Sequence, residues 1–359
     1  MRWLPLTLFL AAASRIAGAA DSPATPTFGA EPQARAFHPT RSPSPGHVRL
    51  VFAGDINLGR HVGELLEKKG DPWAFEACKG LLDDADLAVA NLESPVGEGG
   101  EEYTPKSVYL KGRPKDLDAL SYGGIGLVTL SNNHIMDYGP QVMRQTLEGL
   151  DDRGILHTGL AEAGKRQEPL YVAVQGVTLA FLGYCSVCPG KFEATGKNPG
   201  VEVALSSVML PEIRKARAKA DYVVVLVHWG TEYFGVNDLQ QRLARSLHKG
   251  GADLIIGSHT HVLQKIERMG KSLVAYGLGN FLFDLKCDPC QNGCVLTVDL
   301  EKGKPPEWKA VPLDLSSGRP EPIAEQSPRA ALVQRILQEG NEYNGDRNHP
   351  PVFRKTSEP

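Results

Sequence analysis

The chain has 359 residues, of which 42% are hydrophobic and 23% charged, and its formal net charge is −3. This is the composition of an ordinary globular protein, and one elaborated α/β domain can occupy most of this length. The sequence has no lysine- or arginine-rich run, so we do not expect nucleic acid as a partner.

Residues 1–20 have the pattern of a secretory signal peptide. Arg2 precedes an apolar stretch over residues 3–13, and small residues follow it. The stretch is too short to span a bilayer stably, and Pro5 and Arg15 interrupt it. These features weigh against the alternative, an uncleaved membrane anchor. We therefore expect an exported protein, periplasmic or extracellular.

The remainder divides into three predicted parts. Residues 21–46 are rich in Pro, Ser, Ala and Thr and are predicted to form a flexible linker. Residues 47–320 are predicted to form one folded domain, in which apolar runs alternate with amphipathic segments. Residues 321–359 are polar and Pro-rich, and they are predicted to form a tail with one short helix at residues 329–339.

The pattern of apolar residues within the domain predicts strands and helices in alternation. In chain order, strands are predicted at residues 48–53, 87–90, 126–130, 171–174, 177–183, 222–227, 252–256, 262–268, 272–277 and 293–300. Helices are predicted at residues 73–82, 140–151, 210–220 and 239–249. The order indicates an α/β fold with both parallel and antiparallel pairing.

Polar residues of metal-binding type follow five of these strands. In chain order they are Asp55, Asn57, Glu93, Asn133, His134, His228, His259 and His261. Ligands collect at the carboxyl ends of parallel strands in open α/β sheets, so these residues should converge in the fold. Each of them alone has an ordinary explanation, such as a helix cap, a turn or a buried histidine. Their repeated position at strand ends favours a shared functional site.

The residue types indicate which ions this site would bind. Asp55 and Asn57 are two residues apart, as are His259 and His261, so in extended backbone each pair would face one side. Carboxylate oxygen combined with imidazole nitrogen suits Mn, Fe or Zn better than calcium. A shared carboxylate such as Glu93 would allow two cations to lie about 3.5–4 Å apart. The residue types therefore predict a site for divalent metal ions, Mn, Fe or Zn, in which Glu93 could be shared by two ions.

The six cysteines form two clusters and one isolated residue. They are Cys185 with Cys188, Cys287 with Cys290 and Cys294, and Cys78 alone. In an exported protein this pattern favours disulfides, and a structural zinc site is the alternative at such spacing. The spacing does not define the pairing.

Six segments resemble the motifs of the CapA or PGA-cap family, the bacterial poly-γ-glutamate capsule synthesis proteins. They are VFAGDINLGR, VANLESPV, LSNNHIMDYG, VVLVHWGTEY, IIGSHTHVLQ and YGLGNFLFD, and the resemblance extends over residues 48–300. That family is similar to the calcineurin-like metallophosphoesterases. The resemblance implies a four-layer α/β/β/α sandwich of metallophosphoesterase type, with mixed sheets and a dinuclear metal site.

The resemblance also implies a role for each candidate residue. One metal ion would be held by Asp55, Asn57 and His261, the second by Asn133, His228 and His259, and Glu93 would bridge the two. His134 would be the catalytic residue, as general acid or electrostatic stabiliser of the leaving group. Weaker candidates, for binding substrate or for supporting the ligands, are Arg60, Glu232, Tyr233 and Asn280. Asn57 and Glu93 depart from the metallophosphoesterase pattern, which has histidine and aspartate at these positions.

The function implied is that of an exported metal-dependent hydrolase or transferase in poly-γ-glutamate or capsule biosynthesis. A metal-activated hydroxide would attack a carbonyl or phosphoryl centre of an anionic cell-envelope polymer, or of a small phosphorylated or γ-glutamyl substrate. A synthetic role would require membrane-bound capsule synthase subunits as partners. Two alternatives stay open: a periplasmic phosphomonoesterase or phosphodiesterase, and a non-catalytic capsule-assembly protein.

Overall fold

The computed structural model describes residues 44–341. The predicted signal peptide, nearly all of the predicted linker and residues 342–359 lie outside this range. The first strand begins at His47, at the predicted start of the folded domain. Within residues 44–341, none of the helices is long and apolar enough to cross a lipid bilayer.

Strands and helices alternate along the described residues. The strands are β1 (His47–Ile56), β2 (Leu87–Leu92), β3 (Ile125–Thr129), β4 (Leu156–Thr158), β5 (Leu160–Ala161), β6 (Leu170–Val174), β7 (Val177–Cys185), β8 (Gly200–Val201), β9 (Tyr222–His228), β10 (Leu254–Ser258), β11 (Ile266–Met269), β12 (Ser272–Ala275), β13 (Asn280–Leu282), β14 (Asn292–Glu301), β15 (Glu307–Asp314) and β16 (Glu321–Pro322). The helices are α1 (Arg60–Lys69), α2 (Pro72–Phe75), α3 (Lys79–Asp83), α4 (Asp118–Tyr122), α5 (Gly139–Asp152), α6 (Ser206–Arg217), α7 (Asp238–Gly250) and α8 (Pro328–Glu339).

Two mixed sheets form the centre of the fold. The first sheet has the order β16-β15-β14-β1-β2-β3-β4, with β13 paired to the end of β1, and the second has the order β11-β12-β10-β9-β7-β6. Strands β1 to β4 are parallel to one another, as are β7, β9, β10 and β12. Strands β14, β15, β6 and β11 pair antiparallel, so the predicted mixture of pairing is confirmed.

The alternation of side chains along β1 separates two layers of core. Leu50 and Phe52 point towards the second sheet and pack in one cluster with Val224 of β9. Val51 points the other way and belongs to the cluster formed with helices α1 to α5. Helices α6 and α7 cover the outer face of the second sheet, where Val225 is buried. The order helices, sheet, sheet, helices confirms the predicted four-layer α/β/β/α sandwich.

The predicted helix at residues 73–82 is interrupted in the structure. A 3-10 turn at Glu76–Cys78 separates α2 from α3, and Phe75 before it has a φ of −125°. Cys78 is buried in this turn, and its Sγ lies 3.4 Å from the carbonyl oxygen of Pro320. The turn thus contacts a distant part of the chain, and local periodicity does not report such a contact.

Other predicted boundaries also differ from the structure. The strand predicted at residues 262–268 forms only at Ile266–Met269, because the residues before it continue the loop after the site histidines. The helix predicted at residues 210–220 begins at Ser206 and contains Pro211. Strand β15 is absent from the predicted set, since most of its residues are exposed or partly exposed and it contains a proline.

The predicted C-terminal helix is present as α8 and packs on the folded domain. Val333 and Leu337 are buried in the cluster that lies between the two sheets. The Ser327 side chain accepts a hydrogen bond from the Ala330 N–H and caps the helix. Strand β16 and α8 both lie in the predicted tail, so this part of the tail belongs to the fold.

Candidate metal centre

The carboxyl ends of the parallel strands of both sheets meet at one edge of the sandwich. The predicted ligands there are Asp55 in β1, Glu93 after β2, Asn133 after β3, His228 at the end of β9, and His259 and His261 after β10. The first sheet supplies the oxygen donors, and the second sheet supplies the nitrogen donors. The fold therefore brings residues that are far apart in sequence to one place.

Two groups of described residues could each hold a metal ion. One group is Glu93, His228 and His259, and the other is Asp55, Glu93 and His261; in each, the ligand atoms lie within 4.8 Å of one another. Glu93 belongs to both groups. Its Oε1 lies 3.7 Å from His261 Nε2 and 4.0 Å from His228 Nε2. A carboxylate that bridges two ions would lie in such a position.

Buried atoms without hydrogen-bond partners test whether metal ions fit here. Among the described residues, Glu93 Oε1 and His259 Nδ1 are both buried and have no partner, which is costly unless a ligand satisfies them. Burial raises the pKa of Glu93 well above its usual value, and the neighbouring Asp55 carboxylate adds to this shift; burial raises the pKa of Asp55 to about 7. Burial also holds the pKa of His228 well below its usual value. Neutral imidazoles beside buried carboxylates fit divalent metal ions.

The two histidines after β10 lie in a strained turn. His259 has a φ of 91° and His261 a φ of 56°, values that residues other than glycine rarely adopt. The His259 N–H donates to Asp55 Oδ2 at 3.1 Å, and His261 Nδ1 lies 2.8 Å from Asn280 Oδ1. The expected extended pair is therefore wrong: the turn directs one imidazole to each group.

Asn91 is a site residue that is absent from the predicted set. Its Nδ2 donates to Asp55 Oδ1 at 2.8 Å and lies 3.4 Å from Glu93 Oε2. Asn132 in turn donates to Asn91 Oδ1 at 3.1 Å, which fixes the amide orientation. Asn91 thus orients both carboxylates. Its two-residue spacing from Glu93 is the signal that could have identified it.

Asn57 is buried near the carboxylates, but its amide contacts the backbone. Its Oδ1 accepts a hydrogen bond from the Gly59 N–H at 2.8 Å. Its Nδ2 lies 3.4 Å from Gly59 O and 3.4 Å from Asp284 Oδ1. In this geometry the side chain stabilises the turn before α1. The role of Asn57 as a metal ligand stays a prediction.

His134 lies beside the two groups and is held by Asp137. Its Nε2 is 4.0 Å from Glu93 Oε1, and its Nδ1 is 2.7 Å from Asp137 Oδ2. Burial lowers the pKa of His134. Asn133, the preceding residue, directs its Oδ1 to within 2.9 Å of His228 Nε2. Asp137, absent from the predicted set, therefore orients the predicted catalytic residue, and its signal is the three-residue spacing from His134.

A cavity of about 220 Å³ opens next to His134 and His261. Of the predicted substrate-binding residues, Arg60, Glu232 and Tyr233 line it. The Tyr233 ring stacks on His261 at a centroid distance of 5.9 Å. Asn280 is not part of the lining; its side chain contacts His261 Nδ1 instead. The apolar part of the wall consists of Val108, Leu110, Phe283 and Leu285.

Two disulfides flank this site. They join Cys185 to Cys188 and Cys287 to Cys290, and Cys78 and Cys294 are buried thiols. Cys185 is paired with His228 across β7 and β9. The carbonyl oxygen of Cys290 lies 3.4 Å from Asn280 Nδ2. Four of the six cysteines thus form disulfides, in agreement with the disulfide interpretation, and each disulfide adjoins a residue that is part of the site or supports it.

Comparisons with known proteins agree with this architecture. A family model described as bacterial capsule synthesis protein PGA_cap matches residues 49–285. The PGA biosynthesis protein CapA of Bacillus subtilis (strain 168) is 30% identical over 347 residues, covering 95% of this chain and 87% of the relative. The capsule biosynthesis protein CapA of Bacillus anthracis is 28% identical over 301 residues, covering 81% and 73%.

A solved structure shares the fold. The crystal structure of a hypothetical protein from Thermus thermophilus superposes with a TM-score of 0.50 and 16% identity, covering 74% of this chain and 99% of that one. At this identity the likeness concerns the fold alone. The family is established by the sequence match, which spans all the residues of the site. The chain belongs to the family of bacterial capsule synthesis proteins described as PGA_cap.

Proposed function

We propose that this protein is an exported metal-dependent hydrolase or transferase that acts on an anionic cell-envelope polymer of the poly-γ-glutamate or capsule type. The observation that carries this proposal is Glu93, a fully buried carboxylate shared by two potential metal-binding groups. The names of the two Bacillus relatives, which refer to biosynthesis of PGA and of capsule, support the substrate class. Membrane-bound capsule synthase subunits are the proposed partners.

The residues that would hold two divalent ions, Mn, Fe or Zn, are those of the two groups. They are Asp55, Glu93, His228, His259 and His261, with Asn133 beside His228. When bound, the ions would supply Lewis-acid chemistry, polarising a carbonyl or phosphoryl oxygen and making water acidic enough to attack it. Asn91 keeps the Asp55 and Glu93 carboxylates in place, since it contacts both.

His134 would move the proton to the leaving group. Its Nδ1 donates to Asp137, which leaves Nε2 directed towards Glu93 and the cavity. Burial keeps this imidazole neutral at rest, with a lone pair at Nε2; it can take up the proton that the attacking water loses and deliver it to a departing oxygen or nitrogen. Asp137 fixes the tautomer and the ring plane, as carboxylates do for catalytic histidines.

The cavity supports a substrate that combines anionic and apolar groups. Arg60 and Lys106 are cationic side chains in its lining, and Phe283 and Leu285 provide an apolar wall. A polymer of γ-linked glutamate has a carboxylate and two methylene groups in every residue. Both surfaces of the cavity would therefore be used by such a chain, whereas a small phosphate ester would leave the apolar wall without a contact.

The deciding experiment measures metal content and turnover on the same preparations. We expect about two equivalents of metal in the purified protein and loss of this metal in His259→Ala/His261→Ala. His157→Ala, a histidine of β4 outside both groups, is the matched control. Turnover of a γ-glutamyl oligomer that depends on the metal supports the proposal. Turnover of an aryl phosphate alone would favour a phosphoesterase, and absence of metal after reconstitution would contradict the metal-dependent function.

Two further measurements complete this test. His134→Ala would leave capsule production intact if the protein were a non-catalytic assembly factor, and we expect capsule production to be lost. Export is tested by the N-terminal residue of the mature protein, which should lie just after the predicted signal peptide. A mature chain that begins at Met1 would contradict cleavage of that peptide.

A further inference from the structure

Lys106 is a buried cation at the edge of the site, and its contacts extend beyond lining the cavity. It lies in the loop between β2 and α4, and its side chain is only 15% exposed. Its Nζ donates to the carbonyl oxygen of Asn133 at 2.6 Å and to Asp137 Oδ1 at 2.7 Å. Lys106 thus contacts the residues on both sides of His134.

The hydrogen bonds of Asp137 determine what Lys106 can still donate. An ammonium group has three N–H donors and no acceptor. Nζ also lies 3.1 Å from His134 Nδ1, but that nitrogen is 2.7 Å from Asp137 Oδ2 and donates its own proton there. A donating nitrogen does not accept a hydrogen bond. Within the described residues, two of the three Lys106 donors are therefore used by Asn133 and Asp137.

The remaining donor of Lys106 has the cavity beside it. Lys106 is part of the cavity lining, next to Asn133 and His134. The Phe192 ring closes another side of the ammonium group, with its centroid 5.6 Å from Nζ. A cation held by a buried carboxylate, with one N–H towards a cavity, is preorganised to bind an anion, because little side-chain entropy is lost on binding.

We infer that Lys106 binds an anionic oxygen of the substrate, a carboxylate or phosphoryl oxygen, beside His134. This inference rests on the proposed function, because it takes the cavity as the substrate site of the metal centre. Asp137 contacts both Lys106 and His134, so one buried carboxylate sets the distance between the bound anion and the proton donor. If Lys106 only neutralised Asp137, a substitution that gives Asp137 another hydrogen-bond donor would leave the affinity for anions unchanged.

The test is a calorimetric titration with two probes, inorganic phosphate and a γ-glutamyl oligomer. Lys106→Met removes the charge and keeps most of the unbranched side chain. Because a hydrogen bond to a charged group contributes about 1.5–3 kcal/mol, we expect the Kd to rise about 10- to 100-fold. Lys111→Met is the matched control: Lys111 lies on the same loop, and its Nζ donates to Gly99 O at 2.9 Å. It should bind both probes as the wild type does.

A second variant separates folding from binding. Lys106→Met leaves the buried Asp137 without its cation, which can destabilise the fold. Lys106→Gln keeps an N–H donor for Asp137 but carries no charge, so we expect it to fold and to show the same loss of affinity. Loss of phosphate binding alone would identify a phosphoryl group as the ligand, and loss of oligomer binding alone would identify a carboxylate.

The titration is repeated after chelation, since phosphate also binds metal ions directly. The chelated protein could bind a probe through Lys106 while the metal-loaded protein shows no turnover. That result would contradict the proposed function and leave this inference standing. Wild-type affinity in both Lys106 variants would overturn the inference. An equal loss in Lys111→Met, or wild-type protein that binds neither probe at millimolar concentration, would overturn it as well.

Discussion

The two sheets contribute to the metal centre in different ways. The first sheet supplies oxygen donors from strand ends, Asp55 and Glu93, both fully buried. The second sheet supplies imidazoles, one at the end of β9 and two from the strained turn after β10. Each of the two potential metal groups contains residues from both sheets. Neither sheet by itself holds a complete set, so bound metal would connect the two halves of the sandwich.

The difference also concerns electrostatics. The carboxylates of the first sheet have pKa values raised by burial, whereas the imidazoles of the second have pKa values lowered by burial. Both shifts favour neutral groups in the metal-free protein. Bound divalent ions would remove the cost of burying charged carboxylates, because a cation stabilises their charged form. This comparison predicts that substitution of a carboxylate of the first sheet reduces metal binding more than substitution of an imidazole of the second sheet.

Glu93→Gln should have the largest effect. The substitution keeps the shape of the side chain but replaces the carboxylate shared by both groups with a neutral amide, a weaker ligand. We expect metal content to fall from about two equivalents to near zero, and turnover to be lost with it. Elemental analysis of the purified variant measures this change.

His261→Ala provides the counterpart from the second sheet. His261 belongs to one group only, so about one equivalent should be retained. Glu212→Gln, which changes a buried glutamate outside the site, is the control and should bind metal as the wild type does. Equal metal content in Glu93→Gln and His261→Ala would contradict the bridging position of Glu93.

His134→Gln should have the next largest effect, and it should change only the turnover rate. His134 belongs to neither potential metal group among the described residues, and Asp137 orients it towards the cavity. Loss of a general acid lowers turnover about 10²- to 10⁴-fold, while metal content should be unchanged. Steady-state rates on metal-loaded protein measure the effect, with His157→Gln as control. A parallel loss of metal would show that His134 is a ligand instead.

Removal of metal should lower thermal stability. Ions that bind only the folded state stabilise it by about 4 kcal/mol at a concentration a thousand times the Kd. For a domain of this size, we expect chelation to lower the unfolding temperature by on the order of 10 °C. Scanning calorimetry with and without a chelator measures the change. Glu93→Gln should not respond to the chelator; a response as large as in the wild type would place the stabilising ion elsewhere.

Sequence patterns predict the part of this structure that depends on strand order. Buried parallel strands are marked by apolar runs, and the residues after them, such as Glu93 and His228, must lie at the same edge. The four-layer fold could be predicted in addition because six motifs resemble one family. Site residues whose location depends only on strand order could therefore be predicted from the sequence.

What could not be predicted depends on contacts between distant residues. The positive φ of His259 and His261 arises in a turn fixed by contacts to Asp55 and Asn280, neither of which is near in sequence. Lys106 lies in a loop without periodicity, and its significance follows only from its contact with Asp137. Local patterns carry no information on such pairs, so Asn91, Asp137 and Lys106 were missed.

The smallest expected effect is on the pH dependence of folding stability, and it comes from a buried carboxylate on the outer side of the second sheet. Glu212 of α6 is 8% exposed, and its Oε2 accepts a hydrogen bond from the Tyr184 hydroxyl at 2.7 Å. Burial raises its pKa from 4.5 to about 7, and the Tyr184 hydrogen bond offsets part of this. Unlike Glu93, this carboxylate lies in neither potential metal group among the described residues. It should therefore influence stability and leave metal binding unchanged.

The sign of the pH dependence follows from the raised pKa. The unfolded chain loses this proton near pH 4.5 and the folded protein near pH 7, so the contribution of Glu212 to folding stability is fully present below pH 4.5 and is lost between these values. The loss should be about 3 kcal/mol. Urea unfolding of chelated wild type and of Glu212→Gln, across this pH range, isolates the contribution, because Asp55 and Glu93 titrate in both proteins. We expect a flatter profile in the variant; identical profiles would show that Glu212 is already ionised in the folded protein at low pH.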